Sequence, residues 1–218
     1  MRFVLLLMLG AATALAAPIE EEPPFLAAGE PASFDILGGG SDPGAWAVGL
    51  SGGYPWSSLR AQVGTRHITP VLVLNTALGR RWEPMVGFGK RLLDRPGGRL
   101  SAELLVGAAI QTGTLSKRGP RVEGKLRLMG FGGRVAPWLG IGAGHTFHLA
   151  TTRRTDAAGS SAAVAVEYEW APVIEGGLAI AITKHIGLDL GLDWHIVGAP
   201  NAIALPGVHL GIQFGGGR

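Results

Sequence analysis

Between Ala45 and Phe214 the chain alternates at a period of two between apolar residues and small or charged ones. In 45–56, Trp46, Val48, Leu50, Tyr54 and Trp56 share a phase opposite Ala45, Ala47, Gly49, Ser51 and Gly53. In 59–66, Leu59, Ala61 and Val63 oppose Arg60, Gln62 and Arg66. In 82–92, Trp82, Val86, Phe88 and Leu92 oppose Glu83, Gly87, Gly89 and Arg91. The pattern recurs in 99–112, 134–149, 162–183, 186–197 and 207–214, and it is plainest in RVEGKLRL, where Arg121, Glu123, Lys125 and Arg127 alternate with Val122, Gly124, Leu126 and Leu128. A two-residue period places successive side chains on opposite faces of a strand. Turn-like segments punctuate it, among them Asp94 to Gly98, Ser116 to Pro120, Gly132-Gly133, Thr151 to Ser161 and Gly198 to Pro206. No helical period competes, so the expected class is all-β.

The strand count turns on three long segments. Phase is unbroken from Leu72 to Leu92 and from Val164 to Ile182, and it changes near Pro55 within 45–67. Read as single strands these give eight in total, the count favoured here; splitting two of them gives ten.

The two faces differ in a way that identifies the inside. One is uniformly Leu, Ile, Val, Phe and Trp; the other mixes glycine and alanine with charge. Glycine is a poor choice for a strand face in water, because it adds entropic cost without packing. A small closed barrel explains the mixture, since its lumen takes small residues and charges that pair across it while lipid covers the apolar face. Closure also satisfies every backbone N–H and C=O in lipid. The expectation is a closed up-and-down antiparallel transmembrane β-barrel. Its lumen would hold a charge network of Arg60, Arg66, Glu83, Arg91, Glu103, Arg121, Glu123, Lys125, Arg127, Glu167, Glu169, Glu175, Asp189, Asp193, His195 and His209. Trp46, Trp56, Trp82, Trp170 and Trp194 fit an aromatic girdle at the membrane interfaces.

The first residues bear on location. MRFVLLLMLGAATALAAP has a positive start at Arg2, an apolar run from Phe3 to Leu9, and an A-x-A site at Ala14-Leu15-Ala16. This reads as a cleaved secretory signal over 1–16, too short to span a bilayer as a helix. Residues 17–44, rich in Pro, Gly and acid, read as a flexible tail, and 45–218 as the barrel. The absence of cysteine excludes a disulfide framework and a lipid-anchored N-terminal Cys. The 36 glycines suit strands and turns rather than helices.

With its signal segment, dyad repeats and a last strand GVHLGIQF whose alternation ends in an aromatic residue, the chain from Ala45 to Phe214 resembles the small outer-membrane β-barrels of Gram-negative bacteria, the OmpA/OmpX-like class. The resemblance is architectural and implies a porin-like barrel in the cell envelope. Members of that class serve as anchors, adhesion or resistance proteins, narrow pores and, in a few cases, enzymes. It also implies outer-membrane lipid and the barrel-assembly machinery as partners.

Candidate chemistry is sparse. Asp193 and His195 share a face, with Glu167 and Glu169 available across from them, and an Asp-His pair can activate water. The spacing looks like half of the arrangement in omptin proteases, but the second acidic pair is Glu rather than Asp. A structural salt-bridge network is the favoured role for these residues. His145 and His148, which superficially resemble a barrel deacylase motif, fall on opposite faces and lack the serine. The six histidines show no metal-ligand spacing such as H-E-x-x-H, and no cofactor or metal is expected. After residue 44 there are 18 Lys+Arg against 10 Asp+Glu. Several of these bases, Arg80, Arg81, Lys117, Arg118, Arg153 and Arg154, fall on expected loops, where they would meet anionic headgroups rather than nucleic acid. The expectation is therefore a monomeric, non-enzymatic outer-membrane barrel with a structural or interaction role, or a very narrow pore. An omptin-like hydrolase and a soluble periplasmic β-sandwich or binding barrel are the alternatives.

Overall fold

The structure is a computed structural model that describes residues 43–95, 97–112, 115–130, 134–156, 159–183, 185–197 and 203–216. The signal segment and nearly all of the tail lie outside the described residues. Ten strands follow in order: β1 Trp46–Tyr54, β2 Trp56–Val63, β3 Thr69–Ala77, β4 Arg81–Arg95, β5 Gly98–Gln111, β6 Leu115–Gly130, β7 Val135–Asp156, β8 Gly159–Ala181, β9 Ile186–Val197 and β10 Ile203–Gly216. Each is antiparallel to its chain neighbours, and β10 returns to pair with β1, closing the barrel. The closing seam runs from Trp46↔Gly216 to Tyr54↔Val208.

The count of eight is corrected to ten, and register supplies the reason. The segment 72–92 is two strands turned at Leu78-Gly79, both with positive φ (49° and 66°). That hairpin pairs Ala77 with Arg81 and Thr69 with Gly89, odd residues with odd, so the phase passes through the turn unchanged. The segment 45–67 is also two strands, but there odd pairs with even, as in Ser51↔Ser58, and the phase flips at Pro55. A phase change marks a turn only when the hairpin register has odd parity. The long segment ending at Ile182 is indeed one strand, β8, of 23 residues.

Burial inverts the order usual in water. Among the described residues, 38 large apolar side chains are exposed, whereas 14 polar or charged ones are buried. The outward row of β6 (Val122, Leu126, Leu128) and that of β9 (Leu190, Leu192, Trp194) are exposed along their length. The inside is not wholly polar. Val71, Val73, Met85 and Leu105 form one small apolar cluster, and Met129, Ala136, Trp138, Ala179 and Ala181 another.

The wall is uneven in height. β1, β2 and β3 have 9, 8 and 9 residues, about the length that a tilted strand needs to cross a bilayer. β7 and β8 have 22 and 23 and stay paired to their tip at Asp156↔Gly159, while β8 pairs with β9 only from Val173 onward. This hairpin rises at the end of the barrel opposite Trp46 and Gly216.

Candidate functional site

The lumen is organised by β6. Its inward residues Arg121, Glu123, Lys125 and Arg127 stand opposite Thr146, Gly144, Gly142 and Gly140 of β7, row for row. The long charged side chains lie over the space that these small residues leave. A Cβ at Gly144 would come within 2.6 Å of Arg121 Cζ, and one at Gly140 within 2.6 Å of Glu175 Cγ. The glycines of Gly140 to Gly144 therefore seat the neighbouring charges.

From β6 a chain of ion pairs crosses the barrel. Arg127 pairs with Glu175 of β8, and Lys125 Nζ lies 3.6 Å from Glu175 Oε2 and 2.9 Å from Glu123 Oε1. Arg121 Nη2 is 2.7 Å from Glu123 Oε2, and its Nε is 3.4 Å from Glu83 Oε2 on β4. Arg81 joins Glu83 at 2.6 Å to Glu169 of β8 at 2.8 Å, and His148 Nε2 stands 3.1 Å from Glu169. Four cations and four carboxylates alternate along this path before it ends at the imidazole. Beside it Arg60 of β2 pairs with Glu103 of β5. Buried charges are tolerable when each has such a partner and costly when one is removed.

A second group lies on β9 and β10. Trp138 Nε1 donates to Asp189 Oδ1 at 3.1 Å, and His209 Nε2 sits 3.1 Å from Asp189 Oδ2. The His209 ring lies 6.0 Å from the Trp138 indole, and the Arg127 guanidinium stands over that indole at 5.3 Å. Asp193 is buried and faces inward at the register of Glu175 and Gly207. His195 occupies the same phase of β9, but its side chain lies outside the described residues.

Several expected positions are corrected. Arg66 is exposed in the β2–β3 turn, because β2 ends at Val63 before the phase reaches it. Arg91 lies at the terminal rim, next to a register shift between Arg91 and Leu93, and donates to the partly exposed Asp94 at 2.6 Å. Glu167 is at the opposite rim, paired with Lys117 and more than two-fifths exposed. Trp56 turns inward, since the flip at Pro55 puts even residues of β2 on the lumen side, and the Arg81 guanidinium stands 5.8 Å from its ring. Trp46, Trp82, Trp170 and Trp194 are exposed on the outer face.

Two bases expected on loops, Arg81 and Lys117, belong to inward rows of strands. The β6 charges pair with Glu83, Glu175 and, within the same strand, Glu123. Met85, Leu105 and Trp138 went unmarked as lumen residues because an apolar side chain on the small-or-charged phase breaks the alternation that reveals the phase. Arg118 of β6 and the His145 ring, which contacts Tyr168, face outward. Among the described residues no group of three or more His, Cys, Asp and Glu is arranged to hold a metal ion.

Beside the ion-pair chain runs a cleft of about 140 Å³. Its far side is formed by β1, β2, β9 and β10, whose inward residues there include Gly49, Ser51, Ser58, Gly211 and Gln213.

No protein-family model matches the chain, and no curated protein sequence matches it. Solved structures overlap it loosely. Ail, the attachment invasion locus protein of Yersinia pestis, aligns at 8% identity and a TM-score of 0.42, over 80% of this chain and 99% of its own. The N-terminal β-barrel domain of Pseudomonas aeruginosa OprF aligns at 13% and 0.34, over 80% and 98%. Outer membrane phospholipase A from Escherichia coli aligns at 10% and 0.34, over 86% and 98%. These neighbours are outer-membrane β-barrel proteins, one of them an enzyme. Overlap this loose transfers no function between chains.

Proposed function

We propose that the chain is an integral outer-membrane β-barrel protein without enzymatic activity, exported by cleavage of residues 1–16. It serves as a structural or interaction protein whose lumen admits nothing larger than water and the smallest ions. What supports the membrane reading is the inverted burial: exposed leucine, isoleucine, valine and tryptophan on every side of a closed barrel, around buried ion pairs. Soluble proteins rarely expose contiguous apolar patches beyond a few hundred Å². A lipid solvent reverses that preference, and a closed ladder meets the backbone demand of hydrocarbon. The continuous ion-pair chain supports the narrow lumen, because it fills the middle of the barrel with paired side chains.

Under this reading the four outward tryptophans sit at the lipid interfaces and both chain termini lie on the periplasmic side, so the β7–β8 hairpin projects outward from the cell. The test is migration on a gel before and after heating, following extraction in mild detergent. A folded barrel runs at a different apparent mass until boiled. Recovery of mature protein from the soluble periplasmic fraction, with no such shift, would sink the proposal. The omptin-like alternative is separated by assay: peptide cleavage that disappears in Asp193→Asn and His195→Ala would establish an enzyme.

A further inference from the structure

The cleft beside the ion-pair chain has a charge of its own. Among the described residues that line it, carboxylates outnumber Lys and Arg side chains six to four. The four cations, Arg60, Arg121, Lys125 and Arg127, are all engaged by glutamates. The two carboxylates beyond the four glutamates are Asp189 and Asp193, both on β9, beside the wall made of glycine and serine and with the His209 imidazole on the same lining. Among the described residues Asp189 accepts from neutral or titratable donors, the Trp138 indole and the His209 imidazole.

Gln213 adds an independent observation. Its side chain lines the same cleft at 3% exposure, and among the described residues nothing donates to its buried Oε1. A buried amide oxygen left this way carries a desolvation cost, which a donor or a cation would relieve. The Ser51 and Ser58 hydroxyls, 3.0 Å apart, line the cleft as further oxygen groups. The lining runs almost the height of the short wall. Trp56 is the first residue of β2 at one end, and Gln213 is three residues from the Gly216 end of β10 at the other.

We propose that this cleft is a passage for small monovalent inorganic cations, lined on one side by Asp189, Asp193, Gln213 and the two serines, and kept narrow on the other by the ion-pair chain. Excess carboxylate in a low-dielectric channel concentrates cations and repels anions. Neutral oxygens such as Gln213 Oε1 replace part of an ion's hydration without holding it tightly. A cleft of this volume admits a file of waters and a partly hydrated ion, but no sugar or peptide. This inference rests on the reading of the chain as a membrane barrel and assigns the permeant class and the path.

The experiment uses the mature protein, its fold first checked by heat-shifted migration, in planar bilayers under a potassium chloride gradient. Small currents are expected, with a reversal potential of the sign that marks preference for potassium over chloride. Asp189→Asn with Asp193→Asn keeps both shapes and should move that potential toward zero. Gln213→Leu should lower conductance about tenfold, the effect of about 1.4 kcal/mol on a barrier. Ile174→Leu, on the outer face, should match the wild type in both. Folded protein that passes no current above bare lipid, prefers chloride, or is indifferent to all three inward substitutions overturns the passage. Protein that never shows the heat shift overturns the membrane reading instead.

Discussion

The two sides of the lumen solve one packing problem in opposite ways. On β6 every inward residue from Arg121 to Arg127 is long and charged, and β7 opposes them with threonine and glycines. On β1 and β10 the facing pairs are small on at least one side: Ala47↔Gly215, Gly49↔Gln213 and Ser51↔Gly211. The first wall reaches across the barrel and fills it; the second recedes and leaves the cleft. Glycine is abundant on both, with different work to do. On β7 it makes room for a neighbour's charged head, whereas on β1 and β10 it sets the width of open space. The difference teaches that composition alone does not reveal a lumen residue's role, since the opposing strand decides it.

The sharpest way to break this comparison is Arg121→Met. Arg121 lies between Glu83 and Glu123, all three almost fully buried. Its loss leaves two carboxylates short of a partner and should cost about 3–5 kcal/mol, read as a lower urea midpoint for the barrel folded in lipid vesicles. Gly144→Ala should cost about 1–3 kcal/mol in the same titration, because the guanidinium that must give way is pinned by those carboxylates. On the receding wall, Ser51→Ala removes only the bond to Ser58 and should cost about 0.5–1.5 kcal/mol. If Ser51→Ala proved as damaging as Arg121→Met, the two walls would not differ as described. Arg66→Gln, in an exposed turn, should stay within about 0.5 kcal/mol of wild type.

Much of the architecture was legible because a two-residue period carries the inside-outside distinction in every strand. The phase of β6, β9 and β10 could be read directly from Arg121 to Leu128, from Ile186 to Ile196 and from Val208 to Phe214. What escaped was whatever the phase does not encode. The β3–β4 turn left no mark because Ala77 and Arg81 have the same parity. Trp56 was assigned to the outer face because Pro55 reads equally as a bulge or a hairpin. Partner choice was also hidden: that Glu123 serves both Arg121 and Lys125 on its own strand depends on side-chain reach, not on pattern. The cleft was invisible for a related reason. Gln213 is one more polar residue on an inward phase until β1 and β9 are seen to leave it without a donor.

The closing seam has a consequence in time. Hairpins such as β3–β4 form between near neighbours, Ala77 with Arg81, but Trp46 meets Gly216 only after roughly 170 residues have been arranged between them, a loop about fortyfold longer and costlier to close by about 3.3 kcal/mol. Until β10 arrives, a nine-stranded sheet has two free edges, each able to template the wrong partner. Local hairpins can therefore zip from one strand to the next in any order, but the last step waits for the C-terminal strand. The same seam is where a stalled or damaged barrel would gape first, between strands whose inward side chains hold little across the join.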